Sequence, residues 1–102
     1  MRRVLLILLV ALVGMAGVFL YNGLTREREY QRLIAAGDQA LREAQTFPAI
    51  EAYSGAIALN RSSMLAYLKR GETYRLRGDL PAALRDLSRA ADLSDLRSLN
   101  EH

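Results

Sequence analysis

The chain has no cysteine, which excludes a disulfide framework, a thiolate metal site and a lipid-modified cysteine. Oxidising and reducing compartments both stay open on that count. There is no tryptophan, a single lysine (Lys69), two prolines (Pro48 and Pro81), and one histidine, His102, which is the final residue. A lone histidine at a chain end, where order is hardest to hold, argues against an imidazole nucleophile or metal ligand. The acidic residues are scattered among arginines and show no metal-binding spacing. No catalytic, cofactor-binding or metal-binding residue is therefore assigned, and a non-enzymatic protein is expected. At 102 residues there is room for one small domain and no second one.

Excess charge of one sign is also scarce once the chain is divided. The net charge of +3 and pI near 9.7 suggest a polyanion partner. Arg2 and Arg3, however, precede a long uncharged run, and removing them from the 14 basic residues leaves 12 against 11 acidic ones. That balance gives little field for steering phosphates, so no nucleic-acid partner is expected. The densest basic patch, Lys69, Arg70, Arg75 and Arg77, is interleaved with Glu72 and Asp79, which reads as a salt-bridged face. Arginine outnumbers lysine thirteen to one, which points weakly to a bacterial source with GC-rich coding.

What the sequence does have is VLLILLVALVGMAGVFLY, residues 4 to 21, with no charge. Asn22, Gly23 and Leu24 extend the run. As a helix, eighteen residues at about 1.5 Å each cover about 27 Å, close to the hydrocarbon thickness of a bilayer. Residues 1–24 are therefore expected to be a signal-anchor that spans the membrane, with lipid contacts along 4–24 and Tyr21 at headgroup level. The competing readings are a cleaved signal peptide, with Gly14-Met15-Ala16 as its site, and a buried soluble helix. The flanking arginines are nearly matched, Arg2 and Arg3 before and Arg26, Arg28 and Arg32 after. The very short leading tail favours a cytoplasmic N-terminus with the remainder exported across a bacterial inner membrane. Residues 25–29 read as a linker or helix extension.

Beyond the anchor the sequence repeats with a period of 34. Residues 30–63 laid over 64–97 match at Gly37/Gly71, Ala49/Ala83, Ser54/Ser88, Ala56/Ala90 and Leu59/Leu93, with conservative pairs at Ile34/Leu68, Asp38/Glu72, Ile50/Leu84 and Tyr53/Leu87. Each unit reads as two helices. In the first they run about Tyr30 to Ala44 and Phe47 to Leu59, with Thr46 as N-cap and Pro48 in the first turn. In the second, a helix over Met64 to Arg77 starts at a Ser62 or Ser63 cap and ends at Gly78. Another begins after Asp79, tolerates Pro81 in its first turn and runs to about Leu93. The apolar positions Leu80, Ala83, Leu84, Leu87, Ala90 and Ala91 keep helical spacing. Ser54 and Ser88 recur with the period and read as helix-surface residues, not nucleophiles.

These two 34-residue helical hairpins resemble the tetratricopeptide repeat. In the second unit the pattern falls on Tyr67, Arg70-Gly71, Tyr74, Gly78-Asp79, Ala83, Leu87 and Ala90, and in the first on Leu33, Ala36-Gly37, Ala40, Ala49, Tyr53 and Ala56. The first unit departs from it in having Ala44-Gln45 in place of Gly-Asp. Arg61 and Asp95 stand where the closing proline belongs. The fold implied is all-α, a transmembrane helix followed by a two-hairpin α-solenoid. The resemblance implies repeat packing by Gly37, Ala49, Tyr53, Ala56, Gly71, Tyr74, Ala83, Leu87 and Ala90.

The resemblance also implies a groove facing a protein or peptide partner, lined by Ile34, Asp38, Leu41, Leu68, Glu72 and Arg75. It lacks the Lys/Asn set with which some members hold a C-terminal carboxylate. Stacked hairpins need neighbours, so residues 98–102 are expected to be a tail or the start of a third unit in a longer repeat protein. Self-association or a partner would serve the same need.

Overall fold

The computed structural model describes residues 1–101; His102 lies outside the described residues. Among the described residues the chain is four helices and no strand: α1 (Arg2–Arg42), α2 (Thr46–Leu59), α3 (Met64–Arg77) and α4 (Leu80–Glu101). Each helix packs on the next in sequence. The apolar run and the first expected repeat helix are one element, because α1 passes through residues 22–29 without a break. Its 41 residues make about 62 Å at about 1.5 Å per residue.

Val4 to Leu24 stands clear of the remaining helices, so it is not a buried core helix. By length and composition it can cross a bilayer once. Within the helical bundle below it, the core is Tyr30, Ile34 and Ala40 of α1, Ala49, Tyr53, Ala56 and Ile57 of α2, and Ala66 of α3. Alanine dominates because the helices approach closely. A β-carbon on Gly37 would collide with the Tyr53 ring, and one on Gly71 would sit 2.9 Å from Leu87 Cγ and 3.2 Å from Asp86 Cβ. The two contacts are 34 residues apart in both partners.

Both helix ends that open a tight turn close in the same way. After α1, the Ala44 N–H donates to Leu41 O and the Gln45 N–H to Ala40 O. After α3, the Gly78 N–H donates to Arg75 O and the Asp79 N–H to Tyr74 O. This paired closure requires a left-handed residue at the corner. Gly78 supplies it at φ 87°, and Ala44, again 34 residues earlier, at φ 58°.

The helix starts are less alike. Ser63 caps α3, its Oγ accepting from the Ala66 N–H at 3.0 Å and also bonded to the Tyr30 hydroxyl at 2.5 Å. Asp79 Oδ1 accepts from the Ala82 N–H at 3.4 Å. Thr46, expected as a cap, is instead the first helical residue, and Gln45 before it makes no side-chain cap bond. The other departure is α4, which continues through Leu93 to Glu101 and so crosses the positions where the first unit makes its turn at Asn60–Ser63.

Candidate partner-binding surface

The six expected groove residues divide between core and surface. Ile34 is 6 % exposed inside the core, and Leu41, half-buried, packs against that core. Lys69 of α3 reaches across to Asp38 of α1. On α3, Leu68, Glu72 and Arg75 lie at the surface, Leu68 being 43 % exposed. Arg75 is tied to Glu72 by an exposed ion pair at 2.9 Å.

Asp38 joins three helices. Its Oδ1 accepts from the Tyr53 hydroxyl of α2 at 2.5 Å and from Lys69 Nζ of α3 at 2.9 Å. Burial pushes its carboxyl up, but the bonds from Tyr53 and Lys69 outweigh burial and hold it below the usual carboxylate range. Tyr53 is fully buried, and burial together with the Asp38 hydrogen bond drives its hydroxyl far above the ordinary tyrosine value. The hydroxyl therefore stays protonated and donates.

A second polar centre lies one layer along. Arg70 grips Asp86 of α4 with two bonds, Nε to Oδ2 at 2.6 Å and Nη2 to Oδ1 at 2.8 Å, while Nη1 donates to Ser54 Oγ of α2 at 3.2 Å. Asp86 is 1 % exposed, and Tyr67 and Tyr74 flank the guanidinium with centroids at 5.7 and 6.0 Å. The Asp86 hydrogen bond, opposed by burial, raises the Arg70 pKa further and fixes its charge. The basic patch is thus spent internally: Lys69 and Arg70 hold helices together, and Arg77 stacks on Phe47 at 5.6 Å.

The repeat-packing residues are mostly interior. Ala49, Tyr53, Ala56, Gly37, Gly71, Ala83 and Ala90 are buried, and Leu87 and Tyr74 half-buried. The chief accessible apolar surface outside the N-terminal apolar run is elsewhere. On α2, Ile50, Ser54 and Ile57 share the side turned to α3 and are largely covered, Ile50 at 8 % and Ile57 at 9 %. Their counterparts 34 residues on are Leu84, Ser88 and Ala91 of α4. All three are exposed, Leu84 at 69 %. Leu80, one turn before Leu84, is exposed as well. Leu80, Leu84 and Ala91 belong to the apolar positions that keep helical spacing in the sequence; among the described residues no helix covers them.

Among the described residues no three acidic or histidine side chains converge into a metal-binding group. No family model, curated protein or solved structure matches the chain.

Proposed function

We propose that this protein is a membrane-anchored interaction scaffold of the tetratricopeptide type, holding a partner polypeptide close to a bilayer without catalysing a reaction. One observation carries the reading. The α2 side that bears Ile50, Ser54 and Ile57 receives a helix, α3, and the equivalent α4 side bearing Leu84, Ser88 and Ala91 is apolar, exposed and open. An apolar helix face left in water is a seat for another helix. Ser54 indicates the polar complement, since it accepts from Arg70 of the helix packed on it. Ser88 offers the same acceptor to a donor side chain on the incoming helix. Support for the tetratricopeptide assignment comes from the 34-residue recurrence of the Gly37–Tyr53 and Gly71–Leu87 contacts and of the Ala44 and Gly78 corners.

The anchor is the α1 run from Val4 to Leu24, in the orientation that keeps Arg2 and Arg3 cytoplasmic and exports the helical bundle, as for a single-pass protein of a bacterial inner membrane. Photo-crosslinking in cells tests the scaffold. With a benzophenone amino acid at Ser88 of the full chain, a discrete adduct to another polypeptide is expected, and Leu84→Arg in the same chain should abolish it. Failure to form any adduct beyond the chain's own mass would remove the scaffold reading. A second reading rests on the same open face: in a longer repeat protein the next helix would occupy it, and the crosslink would then be internal.

A further inference from the structure

The continuity of α1 fixes which end of the bundle faces the bilayer. Leu59, at the end of α2, borders the same surface cleft as Gly23, Thr25 and Arg26 of α1, and the Tyr30–Ser63 hydrogen bond pins the start of α3 at that level. The end of α4 is there too, because Leu93 and Leu96 share a cleft with Ser62, Met64 and Leu65. α4 is eight residues longer than α3, 22 against 14. Running back alongside it, α4 overshoots the α3 start by about 12 Å at about 1.5 Å per residue. Tyr30 lies six residues beyond Leu24, or about 9 Å along α1. The overshoot therefore brings the last turns of α4 down to where the uncharged run of α1 ends.

The residues delivered there are unusual for a water-facing helix end. Leu96 is 55 % and Leu99 72 % exposed, and Leu65 beside them is 45 % exposed. At the same end of the bundle Arg26 and Arg28 of α1 and Arg61 before α3 are exposed, as are Glu27 and Asp95, and Arg97 lines the Leu96 cleft. Glu29 is occupied by Arg32. Leucines that water would expel, with arginines at the same end of the bundle, match the acyl boundary and phosphates of a lipid headgroup layer.

We infer that the anchor-proximal end of the bundle is a second lipid-binding surface, in which Leu96 and Leu99 of α4 enter the headgroup layer of an anionic bilayer and Arg26, Arg28 and Arg61 meet its phosphates. The inference rests on the membrane-anchored reading. It gives the bundle two points of membrane attachment, the span and the α4 tip, so that the open Leu84–Ser88–Ala91 face is held at a set angle to the bilayer.

The test uses the full chain in vesicles of phosphatidylcholine with and without phosphatidylglycerol. Because there is no native cysteine, a single fluorophore can be placed by Leu99→Cys or, at the opposite end of α4, by Leu80→Cys. With nitroxide-headgroup lipid as quencher, the position-99 label should be quenched severalfold more than the position-80 label in phosphatidylglycerol vesicles. Replacing Arg26, Arg28 and Arg61 by Gln should shrink that difference while the chain still floats with the vesicles after carbonate extraction. Equal quenching at the two positions in a chain that floats overturns the α4 surface alone. Unchanged quenching in the glutamine variant overturns its assignment to anionic lipid. A chain that does not float overturns the anchored reading, and the inference with it.

Discussion

Ala44 holds φ 58° and Gly78 φ 87° in matching helix closures, yet only glycine, which has no β-carbon to crowd the following carbonyl, takes that conformation freely. The left-handed conformation costs an L residue roughly 1 to 2 kcal/mol. Glycine would lose roughly 0.4 to 1 kcal/mol of that advantage through its freer unfolded chain. Ala44→Gly should therefore stabilise the bundle by about 0.5 to 1 kcal/mol, and Gly78→Ala should destabilise it by a similar amount. Urea unfolding of the full chain in detergent micelles, followed by circular dichroism at 222 nm, measures both. A lower midpoint for Ala44→Gly would mean that the Ala44 methyl group makes a packing contact that outweighs its strain. The same comparison explains why glycine is needed at Gly37 and Gly71 for a different reason, since there the backbone is helical and the constraint is the Tyr53 ring or the Leu87 side chain.

Among the elements, α3 carries the most connections: its Lys69 reaches α1, while its Arg70 reaches both α2 and α4. The Arg70–Asp86 pair holds the last helix in register; Ser54 and the Tyr67 and Tyr74 rings also meet the guanidinium, and exposed Arg85 stands 3.6 Å from the Asp86 carboxylate. Asp86→Leu alone should cost about 3 kcal/mol, the low end for stranding one member of a buried pair, because Arg70 keeps a little solvent contact. The double change Arg70→Met with Asp86→Leu should recover most of that loss, since a packed apolar pair avoids both desolvation terms. Equal losses in the single and double variants, read from urea midpoints, would show that Asp86 acts alone. The bounds of α3 were legible in the sequence because Ser63 and Gly78 are strong start and stop signals. The end of α4 was not: Ser94 to Glu101 contains neither glycine nor proline, so nothing stops the helix where the 34-residue period places a turn. Asp86 was read past for a related reason. It sits between Ala83 and Ala90 on the packing face, but a charge there invites a surface reading until Arg70 is seen to meet it. Leu80 and Leu84 carry the opposite lesson, because apolar spacing identifies a face that wants cover without saying whether the chain provides it.

On the scale of the whole molecule, the decisive feature is that the apolar run able to span a bilayer and the bundle share one helix. A flexible linker would let the bundle tumble, whereas α1 transmits the tilt of the span directly to Tyr30, Ile34 and the core around them. The junction is not inherently stiff, since Asn22 and Gly23 are poor helix formers and the Thr25 Oγ1 bond back to the Tyr21 carbonyl at 2.6 Å favours a bend, but the backbone ladder is unbroken. Spin labels introduced by Leu12→Cys and Gln39→Cys, read by pulsed dipolar spectroscopy in nanodiscs, should give a narrow distance distribution near 40 Å, about 1.5 Å for each intervening residue. Thr25→Pro removes a ladder bond and crowds the preceding turn, so it should shorten and broaden the distribution. A broad distribution in the unaltered chain would instead place a hinge at Asn22-Gly23. The bundle would then move freely over the membrane, and the angle of the Leu84–Ser88–Ala91 face would be set by its partner and not by the anchor.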